Sequence, residues 1–162
     1  MTVDIATWER QAADLWQALD TYSEEEFVAR MTELAAQLPP DHPIALFELG
    51  GAYDSTGDPA RAVDLYRRAL AGGLDTSRHR QATIQLASSL RNLGQPEESV
   101  ALLRAERERT SDELDDAVAA FLALALLDAD RGREAVSVAL TALGGHMTRY
   151  RRSLTAYAAD LT

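Results

Sequence analysis

Two residue types are missing from this sequence: it contains no cysteine and no lysine, and all 16 of its basic residues are arginine. Without cysteine the chain cannot build a disulfide framework or a thiolate metal site. Without lysine it cannot carry out Schiff-base catalysis or form a Walker-type phosphate loop, since both need a lysine amine. The chain has 162 residues, of which 46% are hydrophobic and 26% charged. A globular core can therefore form unaided, burying about 70% of the unfolded surface.

Basic charge is scarce in the first part of the chain. Residues 1–60 hold twelve acids and two arginines, whereas residues 61–162 hold fourteen of each, so the net charge of −10 arises in the first part. Nucleic-acid binding depends on basic side chains that neutralise phosphates, and we expect no nucleic-acid partner. The one basic cluster is formed by Arg149, Arg151 and Arg152. We interpret these arginines as exposed helix cations rather than as an anion-binding patch.

Long apolar runs are also missing. The most apolar segment, residues 117–127, has 11 residues and ends at Asp128, whereas a membrane span needs about 18. The first 20 residues have neither the basic leader nor the apolar run of a signal peptide. We therefore expect no membrane association and a cytoplasmic location.

The sequence does contain an internal repeat. Residues 43–74 match residues 80–106 after a shift of 37 positions, which pairs Leu49 with Leu86, Gly50 with Ala87, Gly57 with Gly94, Pro59 with Pro96, Val63 with Val100, and Leu65 with Leu102. In the first unit, apolar residues recur at helical spacing on both sides of Gly57-Asp58-Pro59. This tripeptide is typical of a helix end followed by a new helix start. Each unit is therefore predicted to be an antiparallel helical hairpin.

The pattern continues more weakly in both directions. In a third unit, Phe121, Leu124 and Ala125 extend the first-helix pattern, Gly132 marks a turn that is two residues shorter, and Ala135, Ala139 and Ala142 form the second-helix face. Upstream, Ser23 and Glu26 predict a capping box, and Asp41 or His42 can cap the following helix. No stretch has the period of a strand. We expect one all-α domain over 1–162 with about nine antiparallel helices: an acidic hairpin (1–40), repeats at 43–76, 80–110 and 113–145, and a C-terminal capping helix (147–162).

The first unit resembles the tetratricopeptide repeat (TPR) signature. The matching residues are Leu46-x2-Leu49-Gly50-x2-Tyr53 and Ala62-x3-Tyr66-x2-Ala69, with Leu46 in the place of the usual Trp. Looser matches are Thr83-x2-Leu86-Ala87-x2-Leu90 with Ser99-x3-Leu103, and Phe121-x2-Leu124-Ala125-x2-Asp128 with Ala135-x3-Ala139-x2-Ala142. Residues 78–81 and 149–154 are also similar to those of a set of small bacterial TPR proteins. The resemblance implies a right-handed array of helical hairpins that binds other proteins.

In TPR proteins the first helices of successive repeats line a concave groove, and the resemblance places particular residues there. They are Ile44, Phe47, Glu48, Gly51, Asp54 and Ser55 in the first unit; Gln81, Ile84, Gln85, Ser88, Arg91 and Asn92 in the second; and Ala119, Leu122, Ala123, Leu126, Ala129 and Asp130 in the third. Apolar side chains mixed with amides and carboxylates suit a helix or peptide with apolar anchors and one cation. One arginine and no lysine do not suit the carboxylate clamp of chaperone-binding members.

Two alternatives remain open at this stage. In one, Leu122 and Leu126 pack against the C-terminal helix, which then fills the groove itself. In the other, the array docks on a second copy of the chain and forms a homodimer, through Trp8, Trp16 and the face that carries Leu122 and Leu126. Trp8 and Trp16 share a helical face, so they form either part of the core or a seam between subunits.

No residue pattern indicates catalysis. His42, His79 and His146 are far apart and near predicted helix ends, which favours capping or surface roles over metal binding. Residues 112–116 are acidic but lack the glycine and spaced oxygens of a calcium loop, and they suit the positive end of a helix dipole. We expect a protein-interaction module that is not an enzyme and has no catalytic residues, cofactor or metal.

Overall fold

The computed structural model describes residues 3–162, which form nine α-helices and one short 3₁₀ helix and contain no strand. The chain divides into two compact units, Met1–Gln85 (unit 1) and Leu86–Thr162 (unit 2). Within each unit, helices that follow one another in sequence pack against each other. The predicted all-α fold of sequential helical hairpins is confirmed.

Unit 1 contains four complete helices and the start of a fifth. They are α1 (Ile5–Gln17), α2 (Glu24–Ala35), α3 (Pro43–Ser55), α4 (Pro59–Ala71) and the first part of α5 (Thr76–Asn92), with the 3₁₀ helix Leu19–Thr21 between α1 and α2. Helix α1 packs on α2, α2 on α3, and α3 on α4. The α3–α4 hairpin is the first predicted repeat.

Local capping explains where several of these helices begin. The Ser23 hydroxyl accepts from the Glu26 N–H at 3.2 Å, and the Glu26 carboxylate accepts from the Ser23 N–H at 3.1 Å, which confirms the predicted capping box. Asp58 caps α4 by accepting from the Arg61 N–H at 3.1 Å. His42 is the N-cap residue of α3, but its side chain makes no capping hydrogen bond.

The core of unit 1 is built around Trp8. This side chain is 0% exposed, and its indole N–H donates to the Leu34 carbonyl oxygen at 2.8 Å. A buried indole N–H needs such a partner because an unpaired polar group is costly in an apolar interior. Phe27 and Met31 of α2 are fully buried in the same cluster. Trp8 is therefore a core residue and offers no surface to a second subunit.

Unit 2 contains the rest of α5 and four further helices. They are α6 (Pro96–Arg109), α7 (Asp115–Asp128), α8 (Gly132–His146) and α9 (Arg151–Ala159). Helix α6 packs on α7, α7 on α8, and α8 on α9. At the start of α7, the Asp115 carboxylate accepts from the Ser111 hydroxyl at 2.5 Å and from the Asp112 N–H at 3.2 Å. Of the acidic segment 112–116, Asp115 and Asp116 lie in the first turn of α7, where acids were predicted to suit the helix dipole.

The three turns between first and second helices share one backbone geometry. In each turn an N–H returns to the carbonyl oxygen five residues earlier: Asp58 to Tyr53 (2.9 Å), Gln95 to Leu90 (2.9 Å) and Arg131 to Leu126 (2.8 Å). The residue before each donor has positive φ: Gly57 (84°), Gly94 (74°) and Asp130 (59°). Equivalent positions are therefore 37 residues apart in the first two repeats and 36 residues apart in the second and third.

This geometry corrects the expected register of the third repeat. Gly132 is the first residue of α8, and Asp130 takes the left-handed turn position. The turn has therefore kept its length, and Leu126, not Asp128, corresponds to Tyr53. The predicted first-helix register was wrong by two residues because the nearest glycine in the sequence is not the turn residue. Aspartate is among the few other residues that adopt this conformation.

Candidate functional site

A concave pocket in unit 1 brings together side chains from α1, α3 and α5. Its volume is about 320 Å³, and it is lined by Trp16, Phe47, Glu48, Gly51, Ser55, Gln81 and Gln85. We call it the Glu48 pocket. Six of the seven lining residues were predicted to face the groove, and the seventh, Trp16, comes from the acidic N-terminal hairpin.

The close approach of Trp16 to α3 depends on a glycine. A Cβ atom on Gly51 would lie 3.0 Å from Cζ2 and 3.3 Å from Cη2 of the Trp16 ring. On the next residue, a Cβ atom on Gly50 would lie 2.9 Å from two carbon atoms of the Tyr66 ring. Consecutive glycines therefore let one aromatic ring pack on each side of α3. The Trp16 ring also packs on Phe27, with ring centroids 5.0 Å apart.

Glu48 is the half-buried acid of the pocket. Its Oε2 atom accepts from the Trp16 indole N–H at 2.6 Å. Burial raises the pKa of Glu48 above its ordinary value, although the Trp16 hydrogen bond and the charge of Arg78 oppose that rise and the charge of Glu9 adds to it. The carboxylate is thus incompletely compensated in the folded protein.

The charge of Arg78, at the start of α5, acts on Glu48, but Arg78 forms its ion pairs with two other acids. Its Nη2 atom lies 2.5 Å from Oε1 of Glu9 and its Nη1 atom lies 2.7 Å from Oδ2 of Asp75. These two hydrogen bonds occupy both guanidinium ends. Arg78 acts on Glu48 only through space.

Tyr66 of α4 lies close to the pocket wall. Its side chain is 0% exposed, and its hydroxyl group has no hydrogen-bond partner in the described part of the chain. The hydroxyl lies 3.8 Å from the position of a Cβ atom on Gly51. Burial, followed by the charges of Asp54 and Glu48, raises the pKa of Tyr66. A buried hydroxyl without a partner is uncommon in folded proteins.

In unit 2 the corresponding surface of α7 is mostly apolar. Leu124 is 43% exposed and Leu127 is 58% exposed. Beside them, Nη1 of Arg91 lies 3.0 Å from Oδ2 of Asp128. We call the exposed surface formed by Leu124 and Leu127 the α7 face, and the Arg91–Asp128 ion pair lies at its edge. The predicted groove residue Arg91 therefore already has an acidic partner on the first helix of the next repeat.

Leu122 and Leu126 are not part of the α7 face. They are 1% and 0% exposed and belong to the core of unit 2. Their predicted groove position was wrong, because the register error of two residues assigned them to the face that Leu124 and Leu127 occupy. They are equally unable to contact a second copy of the chain.

The other predicted groove residues differ in accessibility. Phe47 and Ile84 are each 7% exposed, so they contribute mainly to the core. Gln81 and Asn92 are exposed, whereas Ile44, Asp54 and Ser88 are half-buried. The sequence did not indicate Trp16 as part of the pocket, nor Arg78 and Tyr66 as its neighbours, although it placed Trp16 on the same helical face as Trp8.

Helix α9 lies against α8. Leu154 Cδ2 and Thr155 Oγ1 lie 3.7 Å from the position of a Cβ atom on Gly144, and Arg133 donates to the Asp160 carbonyl oxygen at 3.2 Å. The α7 face remains exposed beside this arrangement. The alternative in which Leu122 and Leu126 pack against the C-terminal helix and that helix fills the groove stays a prediction: both leucines are buried, and α9 packs on α8.

Within residues 3–162, no group of three or more His, Asp or Glu side chains is placed to hold a metal ion. His146 interacts with Asp116, with Nε2 2.8 Å from Oδ2. No helix in the described part of the chain is long and apolar enough to cross a membrane.

Comparison with known proteins agrees with this architecture. The family model described as "Tetratrico peptide repeat" matches residues 43–161. One similar solved structure is from Podosopora anserina and is described as the nearly identical TPR-like repeats of a kinesin light chain. Its sequence is 20% identical to this one, and its TM-score is 0.74 over 96% of this chain and 86% of that chain. MamA from Desulfovibrio magneticus RS-1 is 22% identical, with a TM-score of 0.66 over 99% and 93% of the two chains. At these identities the likeness shows the fold alone. No curated protein matches the sequence.

Proposed function

This chain belongs to the tetratricopeptide repeat family, and on that premise we propose that it holds a peptide or helix of a partner protein against the first helices of its repeats. Repeats of this family generally form protein–protein interaction modules. The observation that carries the proposal is the Glu48 pocket, because it is concave, lies on first helices and combines aromatic, amide and carboxylate groups. Pockets that combine apolar walls with a few polar groups are typical binding sites.

The α7 face supplies a second reason. Leu124 and Leu127 are three residues apart on one side of α7, and both are well exposed. Paired leucines at this spacing suit the apolar side of an amphipathic segment. The Arg91–Asp128 ion pair next to them supplies polar groups at the edge of that contact.

The proposal can be tested by selecting peptides from a random display library on the immobilised protein and measuring one selected peptide by calorimetry. Gln81→Trp adds bulk to the exposed first-helix side of the pocket, and Ala101→Trp adds the same bulk to an exposed site on α6. We expect Gln81→Trp to weaken binding at least tenfold and Ala101→Trp to leave it within twofold. Equal effects of the two variants, or no selected peptide, would contradict the proposal.

A second copy of the chain is the alternative partner. The exposure of Leu124 and Leu127 favours it, since exposed apolar side chains that lie together often mark contact surfaces. The dimer would use the α7 face, because Trp8, Leu122 and Leu126 are buried. Light scattering at tens of micromolar distinguishes the two: a dimer that Leu124→Ser with Leu127→Ser dissociates supports self-assembly, and a monomer excludes it.

We further propose that the chain has no catalytic role and acts in the cytoplasm. TPR scaffolds are typically non-catalytic. The composition supports the same view, since lysine and cysteine nucleophiles are absent from the sequence.

A further inference from the structure

We propose that the Glu48 pocket accepts one basic side chain, arginine or lysine, of the bound partner. This inference rests on the proposed function, and it adds the chemistry of the residue that the partner presents to unit 1. The groove of chaperone-binding TPR proteins captures carboxylates, so a cation pocket would reverse the sign of the recognised charge.

The first argument is electrostatic. Glu48 is half-buried, and its Oε2 atom accepts from the neutral Trp16 indole N–H. Arg78, whose charge acts on Glu48, donates to Glu9 and Asp75. Three acids, Glu48, Glu9 and Asp75, thus share the charge of one arginine. A buried carboxylate gains from a cation that pairs with it, because the water that would otherwise solvate the charge is largely excluded.

The second argument is the arrangement of acceptors. Besides Glu48, the pocket contains the Ser55 hydroxyl and the Gln81 side-chain amide. The Gln81 amide nitrogen donates one of its two hydrogens to the Ser77 hydroxyl at 3.2 Å, and its carbonyl oxygen can accept. Arginine and lysine side chains carry donors and no acceptors. The Glu48 carboxylate, the Ser55 hydroxyl and the Gln81 carbonyl oxygen can each accept from such a side chain.

The third argument is size and shape. A volume of about 320 Å³ is at the lower end of the range for small-ligand sites. One long side chain suits this space better than a folded segment would. The Trp16 ring in the wall offers an aromatic surface to an aliphatic stem or to a guanidinium plane.

The fourth argument is independent of charge. The Tyr66 hydroxyl is fully buried, has no partner in residues 3–162, and lies 3.8 Å from the Cβ position of the pocket residue Gly51. Its oxygen can accept and its hydrogen can donate. Such a group next to the pocket wall is a candidate contact for a polar group of the bound side chain.

The test is a titration of the full-length protein with N-acetyl-arginine amide, in which NMR spectra are recorded at each concentration of the probe. The chain has two tryptophans, so its spectrum has two indole N–H signals. Trp16 donates to Glu48 in the pocket, whereas Trp8 donates to Leu34 in the core and serves as an internal control. We expect the Trp16 signal to shift and saturate at millimolar probe while the Trp8 signal stays in place. N-acetyl-lysine amide should act similarly, and the neutral N-acetyl-citrulline amide should bind at least tenfold more weakly.

Two variants locate the response. Glu48→Gln keeps an acceptor for Trp16 but removes the charge, and we expect it to weaken the arginine probe at least tenfold. Ser55→Arg places a guanidinium at an exposed position of the wall, and we expect it to abolish the response without any change in the core. Glu108→Gln, at an exposed site on α6, is the matched control and should bind the probe like the unmodified chain.

The proposal is overturned if the Trp16 signal does not move, if citrulline amide binds as well as arginine amide, or if Glu48→Gln binds the probe normally. The peptide selection described above reports separately on the proposed function. Selected peptides that bind equally well to Glu48→Gln would leave the interaction module standing and refute the cation pocket. Failure to select any peptide would refute the interaction module itself.

Discussion

The first and third repeats use the same helix face in opposite ways. Once the turns are aligned, four positions of α3 correspond to four positions of α7: Glu48 to Phe121, Gly51 to Leu124, Asp54 to Leu127, and Ser55 to Asp128. In unit 1, three of these positions, Glu48, Gly51 and Ser55, line the Glu48 pocket, and in unit 2 two of them, Leu124 and Leu127, are exposed apolar residues. One backbone design therefore supports two different kinds of contact surface.

The difference arises at the position that Gly51 and Leu124 share. Because Gly51 has no side chain, the Trp16 ring can lie so close to α3 that a Cβ atom on Gly51 would be 3.0 Å from it. In this position the Trp16 indole N–H donates to Glu48. Leucine at the equivalent position of α7 supplies its own side chain, 43% of which is exposed to solvent. The two first-helix surfaces thus differ through a side chain that the first repeat omits and the third repeat presents.

The largest expected effect tests the alignment on which this comparison depends. Leu126 is 0% exposed and Leu127 is 58% exposed, so the two neighbours should respond very differently to truncation. Leu126→Ala should lower the free energy of unfolding by about 2–5 kcal/mol, and Leu127→Ala by about 0.5 kcal/mol or less. Urea unfolding of both variants measures the difference. Similar losses for the two variants would show that α7 does not have this register.

The next effect concerns the turns that set the alignment. Gly94 and Asp130 both have positive φ, and a Cβ atom on Gly94 would meet nothing within 4 Å. Left-handed backbone costs a residue with a side chain about 1–2 kcal/mol. We therefore expect Gly94→Asp to lower the free energy of unfolding by about 1 kcal/mol and Asp130→Gly to raise it by a smaller amount, both measured by urea unfolding. An increase for Gly94→Asp would contradict the shared turn geometry.

A smaller effect distinguishes the charged pocket from the apolar face. Because the pKa of Glu48 is raised in the folded protein, the folded state binds this proton more tightly than the unfolded state does. That contribution to stability is fully present below the ordinary pKa of 4.5 and is lost as the pH rises through the raised pKa. Glu48→Gln should therefore raise the free energy of unfolding at pH 7 by about 0.5–1 kcal/mol, and the gain should disappear near pH 4.

Urea unfolding of the Glu48→Gln variant at the two pH values measures this gain. Glu108→Gln on the exposed side of α6 is the control and should change stability by less than about 0.5 kcal/mol at either pH. A loss of stability in Glu48→Gln at pH 7 would mean that Arg78 and Trp16 fully compensate the carboxylate, and the electrostatic argument for the pocket would then be wrong.

The smallest effect is at the edge of the α7 face. Arg91 and Asp128 form an ion pair in which both side chains contact solvent, with exposed fractions of 25% and 44%. Such pairs contribute about 0.2–1 kcal/mol. Arg91→Gln should therefore reduce thermal stability only slightly, and the reduction should shrink at 1 M salt. A loss several times larger would assign Arg91 a structural role in unit 2.

The sequence was sufficient for the fold where turn residues followed the usual chemistry. Gly57-Asp58-Pro59 and Gly94-Gln95-Pro96 locate the first two turns unambiguously, because glycine readily adopts positive φ and proline suits a first helical turn. The third turn uses Asp130 with a glycine two residues later, and that glycine was mistaken for the turn residue. Backbone geometry was needed to see that the turn had kept its length.

The candidate site could be predicted only in part for a different reason. The repeat pattern assigns Glu48, Gln81 and Gln85 to one face because they lie on first helices at equivalent positions. It carries no information about Trp16, which belongs to the N-terminal hairpin outside the repeats and contacts a residue 32 positions later in the sequence. The same holds for Arg78 and Glu9, which are 69 positions apart. Long-range packing of this kind leaves no periodic signal in the sequence.

The most direct test of the central claim compares the peptides that a random display library yields on the unmodified protein and on Glu48→Gln. The account predicts that peptides enriched on the unmodified protein share an arginine or lysine at one position, and that this preference disappears on Glu48→Gln while apolar preferences remain. Enrichment of the same basic position on both proteins, or a preference for acidic residues on the unmodified protein, would contradict it.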